Sequence, residues 1–126
     1  MQIHADTIGK LIELNKEDSD VIEFIRDCID SFEQYHRAVF DDRMFLVLYG
    51  SALDGDEYRE RRTAVDRTRT VCHNSVIANV ASLNRMAERA GLKPVYDGVV
   101  SKERPYRQEL ANAVFAYIES IINNRP

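Results

Sequence analysis

The feature that most constrains the fold is an apolar stripe that recurs every three or four residues after Asp18 and Ser19. This spacing matches the period of an α-helix, and sustained alternation of the strand type is absent. Either Asp18 or Ser19 is a suitable N-cap, and acidic Asp20 and Glu23 in the first turn suit the helix dipole. The pattern predicts a long amphipathic helix whose buried face carries Val21, Ile25, Cys28, Phe32, Tyr35 and Val39.

Further helices follow from the same periodicity. Gly91 followed by apolar Leu92 is typical of a helix C-terminus with a left-handed glycine, and Pro94 supports a stop there. Besides the helix after Asp18, the predicted helices are a weak one at Thr7 to Leu14, the apolar run Met44 to Tyr49, about Asp56 to Ala90, and about Arg104 to Asn123.

Two connections carry turn signals. Ser51 to Asp56 follows Gly50 and contains a second glycine, so we expect a short turn. Residues 92–100 place Asp97-Gly98 between short apolar arms, which favours a small hairpin. The whole pattern predicts an all-α helical bundle of three long and about two short helices, in one domain over residues 1–126.

Composition and hydropathy limit where such a chain can act. With 126 residues, 44% of them hydrophobic, it can bury a core without disulfide or metal staples. Cys28 and Cys72 lie on apolar helix faces, as free thiols in a reducing compartment do. Met1 to Lys10 lacks the pattern of a signal peptide, and no apolar run reaches the length of a membrane span. We expect a cytoplasmic protein that does not enter a membrane.

Charge is distributed unevenly along the chain. Residues 1–57 carry 14 acidic and 5 basic side chains, a net charge of −9, and residues 58–126 carry 7 acidic and 12 basic ones, a net charge of +5. Thirteen of the 17 basic residues are arginine, whose planar guanidinium suits carboxylates and phosphates. The arginines therefore call for an acidic partner inside the protein or an anion from outside.

A polar stripe runs along the predicted central helix. Arg59, Arg62, Asp66, Arg69 and His73 recur at spacings of three and four residues, so they share one side of the helix. Further along, the same side becomes apolar, and charged groups that enter a core need partners. The candidate polar site comprises Arg62, Asp66, Arg69, His73, Asn74, Asn84 and Arg104.

Two interpretations of this stripe remain open. In the more common one, Arg59, Arg62 and Arg69 pair with carboxylates of the acidic N-terminal half, and Asp66 and His73 hydrogen-bond within the helix. In the other, Arg69 holds an anion, His73 moves a proton near neutral pH, and Asp66 orients either group.

Metal and nucleotide chemistry have little support. Glu33 and His36 have the Glu-x-x-His spacing of di-iron bundles, but the second pair and the further glutamates of such sites are missing. No cysteine pair has zinc spacing, and no glycine-rich loop follows a strand. We expect neither a metal nor a cofactor, with His4, His36 and His73 in core or surface roles.

Arg67 and His73, with five residues between them, resemble the Arg-to-His motif of the HEPN ribonucleases, a family of small all-helical domains. The resemblance implies RNA binding or cleavage. Thr68 departs from the family pattern, and on one unbroken helix Arg67 and His73 point about 120° apart.

A second resemblance covers residues 48–98 and is carried by short segments of that stretch. These segments are Leu-Tyr-Gly around Tyr49, the Asp66, Arg69, His73 and Asn74 spacing, Leu83-Asn84-Arg85, and Pro94-Val95-Tyr96-Asp97-Gly98. They resemble a family of small bacterial all-helical proteins classed as a domain of unknown function. The resemblance implies an all-α bacterial protein and brings no activity or cofactor.

Three functional hypotheses follow. The first is a non-enzymatic interaction or regulatory protein that self-associates as a dimer or meets a protein partner, because Met44 to Tyr49 and several tyrosines exceed what a small bundle covers. The second is an RNA-binding protein or nuclease using the stripe, although the acidic pI of about 5.4 disfavours nucleic acid. The third is a small anionic ligand held between helices by Arg69, His73 and Arg104.

Overall fold

A computed structural model describes residues 1–50 and 52–124, and that part of the chain is all-α as predicted. Three helices are long and one is short, so the structure has one short helix where the sequence predicted about two. Ser51, in the predicted turn, lies outside the described residues, as do residues 125 and 126. The helices are α1 (Ala5–Leu14), α2 (Ser19–Tyr49), α3 (Gly55–Arg89) and α4 (Arg104–Asn123).

The helix count differs because Met44 to Tyr49 is helical, as predicted, but forms the end of α2. Residues 40–43 contain no glycine or proline, so nothing interrupts the backbone hydrogen bonds of that helix. Asp18 is the N-cap and its carboxylate accepts a hydrogen bond from the Val21 amide at 3.3 Å. The result is a helix of 31 residues whose last turns extend past the core.

The predicted C-terminus of α3 is confirmed in detail. Gly91 has a left-handed φ of 71°. Its amide donates to the Glu88 carbonyl at 3.0 Å, and the Leu92 amide donates to the Ala87 carbonyl at 2.9 Å. This is the Schellman arrangement, which satisfies carbonyls at the helix end and turns the chain toward α4.

The hairpin predicted for residues 92–100 is wrong. Within the described residues this segment pairs instead with the N-terminus, through an isolated antiparallel bridge between Ile3 and Tyr96. The His4 amide donates to the Val95 carbonyl at 2.7 Å, and the Asp97 carboxylate accepts from the Gln2 amide at 3.0 Å. Asp97 therefore anchors a distant segment rather than a local turn.

The core lies where the apolar stripes of α2, α3 and α4 meet, with α1 packed beside them. Cys28 is 1% exposed, and burial, helped by the charge of Asp27, raises the pKa of its thiol to about 11. Cys72 is partly buried against the core, so both free cysteines serve as packing residues, as predicted. Among the described residues, no helix combines the length and apolar character needed to cross a bilayer. The fully buried centre consists of Phe32, Val76, Val80, Leu83, Ala87, Val95, Leu110 and Val114.

Candidate functional site

A polar cleft of about 320 Å³ lies among α2, α3 and α4. Four of the seven predicted site residues meet there, and three of them, Arg69, His73 and Arg104, are those that the anion hypothesis relies on. The lining residues are Tyr35, Asp66, Arg69, Thr70, His73, Arg104, Arg107, Gln108 and Ala111.

The position of the cleft follows from the change in character of α3. His73 is the first buried residue of this helix, and Val76 and Ile77 continue the buried face into the core. Asp66 and Arg69 lie on the same side in the two preceding turns, where the helix is no longer covered. The polar part of the stripe therefore lines an opening beside the start of α4.

Arg62 and Arg69 share one carboxylate. Arg69 Nη1 donates to Asp42 Oδ2 at 2.9 Å, and Arg62 Nη1 donates to Asp42 Oδ1. The Asp42 side chain is only 10% exposed, so α2 supplies a shielded negative charge between two arginines. Arg59 instead pairs with Asp56 at 2.5 Å on its own helix. Asp42 and Asp56 both belong to residues 1–57, so the structure contains the ion pairs to the acidic N-terminal half that the first interpretation predicts for Arg59, Arg62 and Arg69.

The arginines of α4 are in a different situation. Arg104 and Arg107 both line the cleft, and within residues 1–50 and 52–124 neither takes part in an ion pair. The lining therefore carries three guanidinium groups, including that of Arg69, against the single carboxylate of Asp66, a net charge of +2. A cleft with this lining favours an anion.

His73 is the most unusual residue of the cleft. It is 7% exposed, and its Nε2 is buried without a hydrogen-bond partner in the described residues. This corrects the expectation that His73 bonds within its helix. Its ring lies against that of Tyr35, with 5.1 Å between centroids. Burial lowers the pKa of His73, the charges of Arg107 and Arg69 lower it further, and a hydrogen bond to the Arg107 backbone opposes them. The ring is therefore uncharged at neutral pH.

The pKa of Tyr35 is also affected by the positive charges of this region. Burial raises the pKa of its phenol, while the charge of Arg69, a hydrogen bond from that residue, and the charges of Arg43 and Arg107 work in the opposite direction. Arg43 belongs to an adjoining hollow of about 140 Å³ that shares Tyr35 and Arg69 with the cleft. Guanidinium groups from all three helices therefore surround this tyrosine.

The other predicted residues lie elsewhere. The Asn84 amide binds the backbone of Tyr96, accepting from its N–H at 3.0 Å and donating to its carbonyl at 3.3 Å, so its role is structural. Asn74 is exposed and outside the cleft, and Arg62 is held by Asp42. Arg67 is exposed and also outside the cleft, so the structure does not bring together Arg67 and His73, the two residues of the HEPN-like motif.

Sequence reasoning missed several residues of this region. The sequence does indicate Asp42, because this charged residue follows Val39 by three residues on the apolar stripe of α2, where another apolar side chain is expected. Arg107 and Gln108 follow Arg104 at helical spacing, but only the packing of α4 beside α3 places them opposite His73.

The Glu-x-x-His spacing on α2 has a structural use. His36 Nε2 lies 2.9 Å from Glu119 Oε1 on α4, and its ring lies 4.3 Å from that of Phe115. Among the described residues, no three histidine, cysteine or acidic side chains form a group that could hold a metal ion.

Comparison with known proteins places the chain in a family. A family model described as "Protein of unknown function (DUF3232)" matches residues 2–124, and the chain belongs to this family. The match extends well beyond the segment 48–98 that carried the resemblance in the sequence. Neither the curated proteins nor the solved structures contain a significant match to the chain.

Proposed function

We propose that this protein binds a small oxyanion, such as a phosphate or carboxylate group, in the cleft among α2, α3 and α4, and that it acts by binding rather than by catalysis. The observation that carries the proposal is the buried, unpartnered Nε2 of His73, a residue that lines the same cleft as Arg104 and Arg107. Buried polar groups are nearly always hydrogen-bonded, so an unpartnered nitrogen on a side chain that lines a cationic cleft favours an anionic ligand there.

The size of the cleft and the pairing of the α3 arginines favour a small ligand over a nucleic acid. A volume of about 320 Å³ lies at the lower end of the range for small-molecule sites. A nucleic-acid surface would need a row of free cations, yet Arg59, Arg62 and Arg69 each pair with a carboxylate. The RNA alternative predicts salt-sensitive binding of single-stranded RNA that is lost when Arg69 and His73 are replaced by alanine.

Isothermal titration calorimetry with sulfate, phosphate and citrate at constant ionic strength tests the proposal. We expect at least one of these anions to bind with a dissociation constant below about 1 mM. Arg107→Gln should weaken that binding about tenfold, because a charge-assisted contact is lost. Arg89→Gln, at the exposed far end of α3, is the matched control and should bind like the parent protein. Absence of binding, or equal loss in both variants, contradicts the proposal.

A second candidate function is self-association through the apolar end of α2. Four consecutive residues there are exposed, with Leu46 at 65%, Val47 at 74%, Leu48 at 59% and Tyr49 at 37%. Contiguous apolar surface of this kind favours a protein contact, and a two-fold dimer is the most common form.

Light scattering coupled to size-exclusion chromatography tests this second candidate. We expect a dimer mass for the parent protein and a monomer mass for the double variant Val47→Glu with Leu48→Glu. Val71→Glu is the control, because Val71 is 59% exposed on α3 and lies outside the apolar end. A monomer mass of the parent at every concentration removes the candidate.

A further inference from the structure

We propose that the cleft takes up one proton together with its ligand, so that a tetrahedral dianion of the sulfate or phosphate class is held by His73 in its imidazolium form. This inference rests on the proposed function and specifies the charge of the ligand and the protonation state of the site.

The geometry around His73 provides an unused hydrogen-bonding direction. Groups from three helices line the cleft with His73: Tyr35 of α2 packs on its ring, Asp66 and Arg69 precede it on α3, and Arg104 and Arg107 lie on α4. Its buried Nε2 meets none of them in a hydrogen bond. An anion in the cleft supplies an acceptor oxygen, which an Nε2–H group can use and a bare nitrogen lone pair cannot.

The charge of the lining matches a dianion. With His73 neutral, Arg69, Arg104 and Arg107 against Asp66 leave a net charge of +2. A dianion neutralises this charge, whereas a monoanion leaves half of it in place. The remaining positive charge would continue to oppose a charged imidazole, so a dianion favours protonation of His73 more strongly.

A bound dianion acts against the effects that keep His73 neutral in the ligand-free cleft. Burial and the charges of Arg107 and Arg69 lower the pKa of His73 when the cleft is empty. A bound dianion offsets those charges and accepts a hydrogen bond from the charged ring, so the pKa rises. By linkage, a ligand that raises a pKa draws a proton with it, and it binds more tightly as the pH falls.

Calorimetric titration with sulfate from about pH 5.5 to about pH 8 tests the inference. Sulfate stays a dianion throughout, so any pH dependence belongs to the protein. We expect the dissociation constant to rise by up to about tenfold per pH unit above neutrality. Titration in two buffers of different ionisation enthalpy should give close to one proton taken up per sulfate.

Two variants identify the group that takes up the proton. His73→Gln keeps a side chain that can donate a hydrogen bond but cannot titrate, so we expect weaker sulfate binding that is nearly independent of pH. His36→Gln is the matched control, because His36 pairs with Glu119 outside the cleft and should leave the pH dependence intact.

The outcomes separate the two proposals. Sulfate binding with no proton uptake by the parent protein overturns the inference and leaves the proposed function standing, and so does a His73→Gln variant that keeps the parent's pH dependence. Failure of sulfate, phosphate and citrate to bind at any pH overturns both.

Discussion

Two pairs of arginines lie close together in this protein, and within the described residues only one of the pairs has a carboxylate partner. Arg62 and Arg69 of α3 share the shielded carboxylate of Asp42, whereas Arg104 and Arg107 of α4 have no ion pair within the described residues. Where the chain supplies its own carboxylate, the arginines stabilise the contact between α2 and α3. Where it does not, they leave a cationic surface beside a buried histidine, and this difference separates the structural network from the candidate site.

Removal of Asp42 should produce the largest effect on stability. Asp42→Ala leaves two partly buried guanidinium groups without a counter-charge, and breaking a buried pair costs several kcal/mol. The side chains of Arg62 and Arg69 are 39% and 37% exposed, so solvent screens part of their uncompensated charge. We therefore expect the free energy of unfolding to fall by about 2 kcal/mol.

Urea denaturation measures this loss, with Asp41→Ala as the control. Asp41 is the exposed neighbour of Asp42 and forms no ion pair within the described residues, so its replacement should change stability by less than about 0.5 kcal/mol. Equal stabilities of the two variants would show that the carboxylate of Asp42 does not hold the arginines together.

The pH dependence of stability probes the unpaired region. The folded pKa of His73 lies below that of the unfolded chain, so between the two values the unfolded chain binds more protons. The ligand-free protein should therefore lose stability as the pH falls below about 6.5, by at most about 1.4 kcal/mol per pH unit. Thermal unfolding between about pH 5 and about pH 7.5 measures the effect.

His73→Gln serves as the control for this loss, because it lacks the titrating ring. Saturating sulfate should also suppress the loss in the parent protein. Parallel pH profiles of the parent and His73→Gln would mean that other groups cause the destabilisation.

Replacement of the buried His73 and of the partly buried His36 gives the smallest expected effects. His73→Leu removes an unpartnered atom, Nε2, but also the hydrogen bond to the Arg107 backbone, so we expect the two effects to offset and stability to change by less than about 0.5 kcal/mol. His36→Leu removes the partner of Glu119, and we expect a loss of about 1 kcal/mol. Chemical denaturation of both variants measures the difference; a loss in His73→Leu as large as that in His36→Leu would indicate that Nε2 is also satisfied in the folded chain.

Local patterns predicted most of the helices. The stripe from Val21 to Val39, the cap at Asp18 and the glycine stop at Gly91 depend on neighbours in sequence, so the periodicity and the residue types were sufficient. The segment 92–100 could not be predicted in the same way, because Val95 and Tyr96 pair with the distant N-terminus.

The candidate site was predicted on the side that α3 provides and, on α4, only at Arg104. Asp66, Arg69 and His73 share a helix face that the spacing identifies, but Arg107 enters through the packing of α4, which no local pattern encodes. Asn84 shows the converse: a polar residue on the predicted face binds the backbone of Tyr96, and nothing nearby in sequence indicates that this backbone lies opposite.

The most direct test of the oxyanion cleft is a crystal structure of the protein soaked in selenate, whose anomalous scattering locates the anion without reference to the protein. We expect a single strong anomalous peak within hydrogen-bonding distance of His73 Nε2 and the Arg107 guanidinium. Selenate bound only at other surface sites, with the cleft free of anomalous signal at saturating concentration, would contradict the proposal.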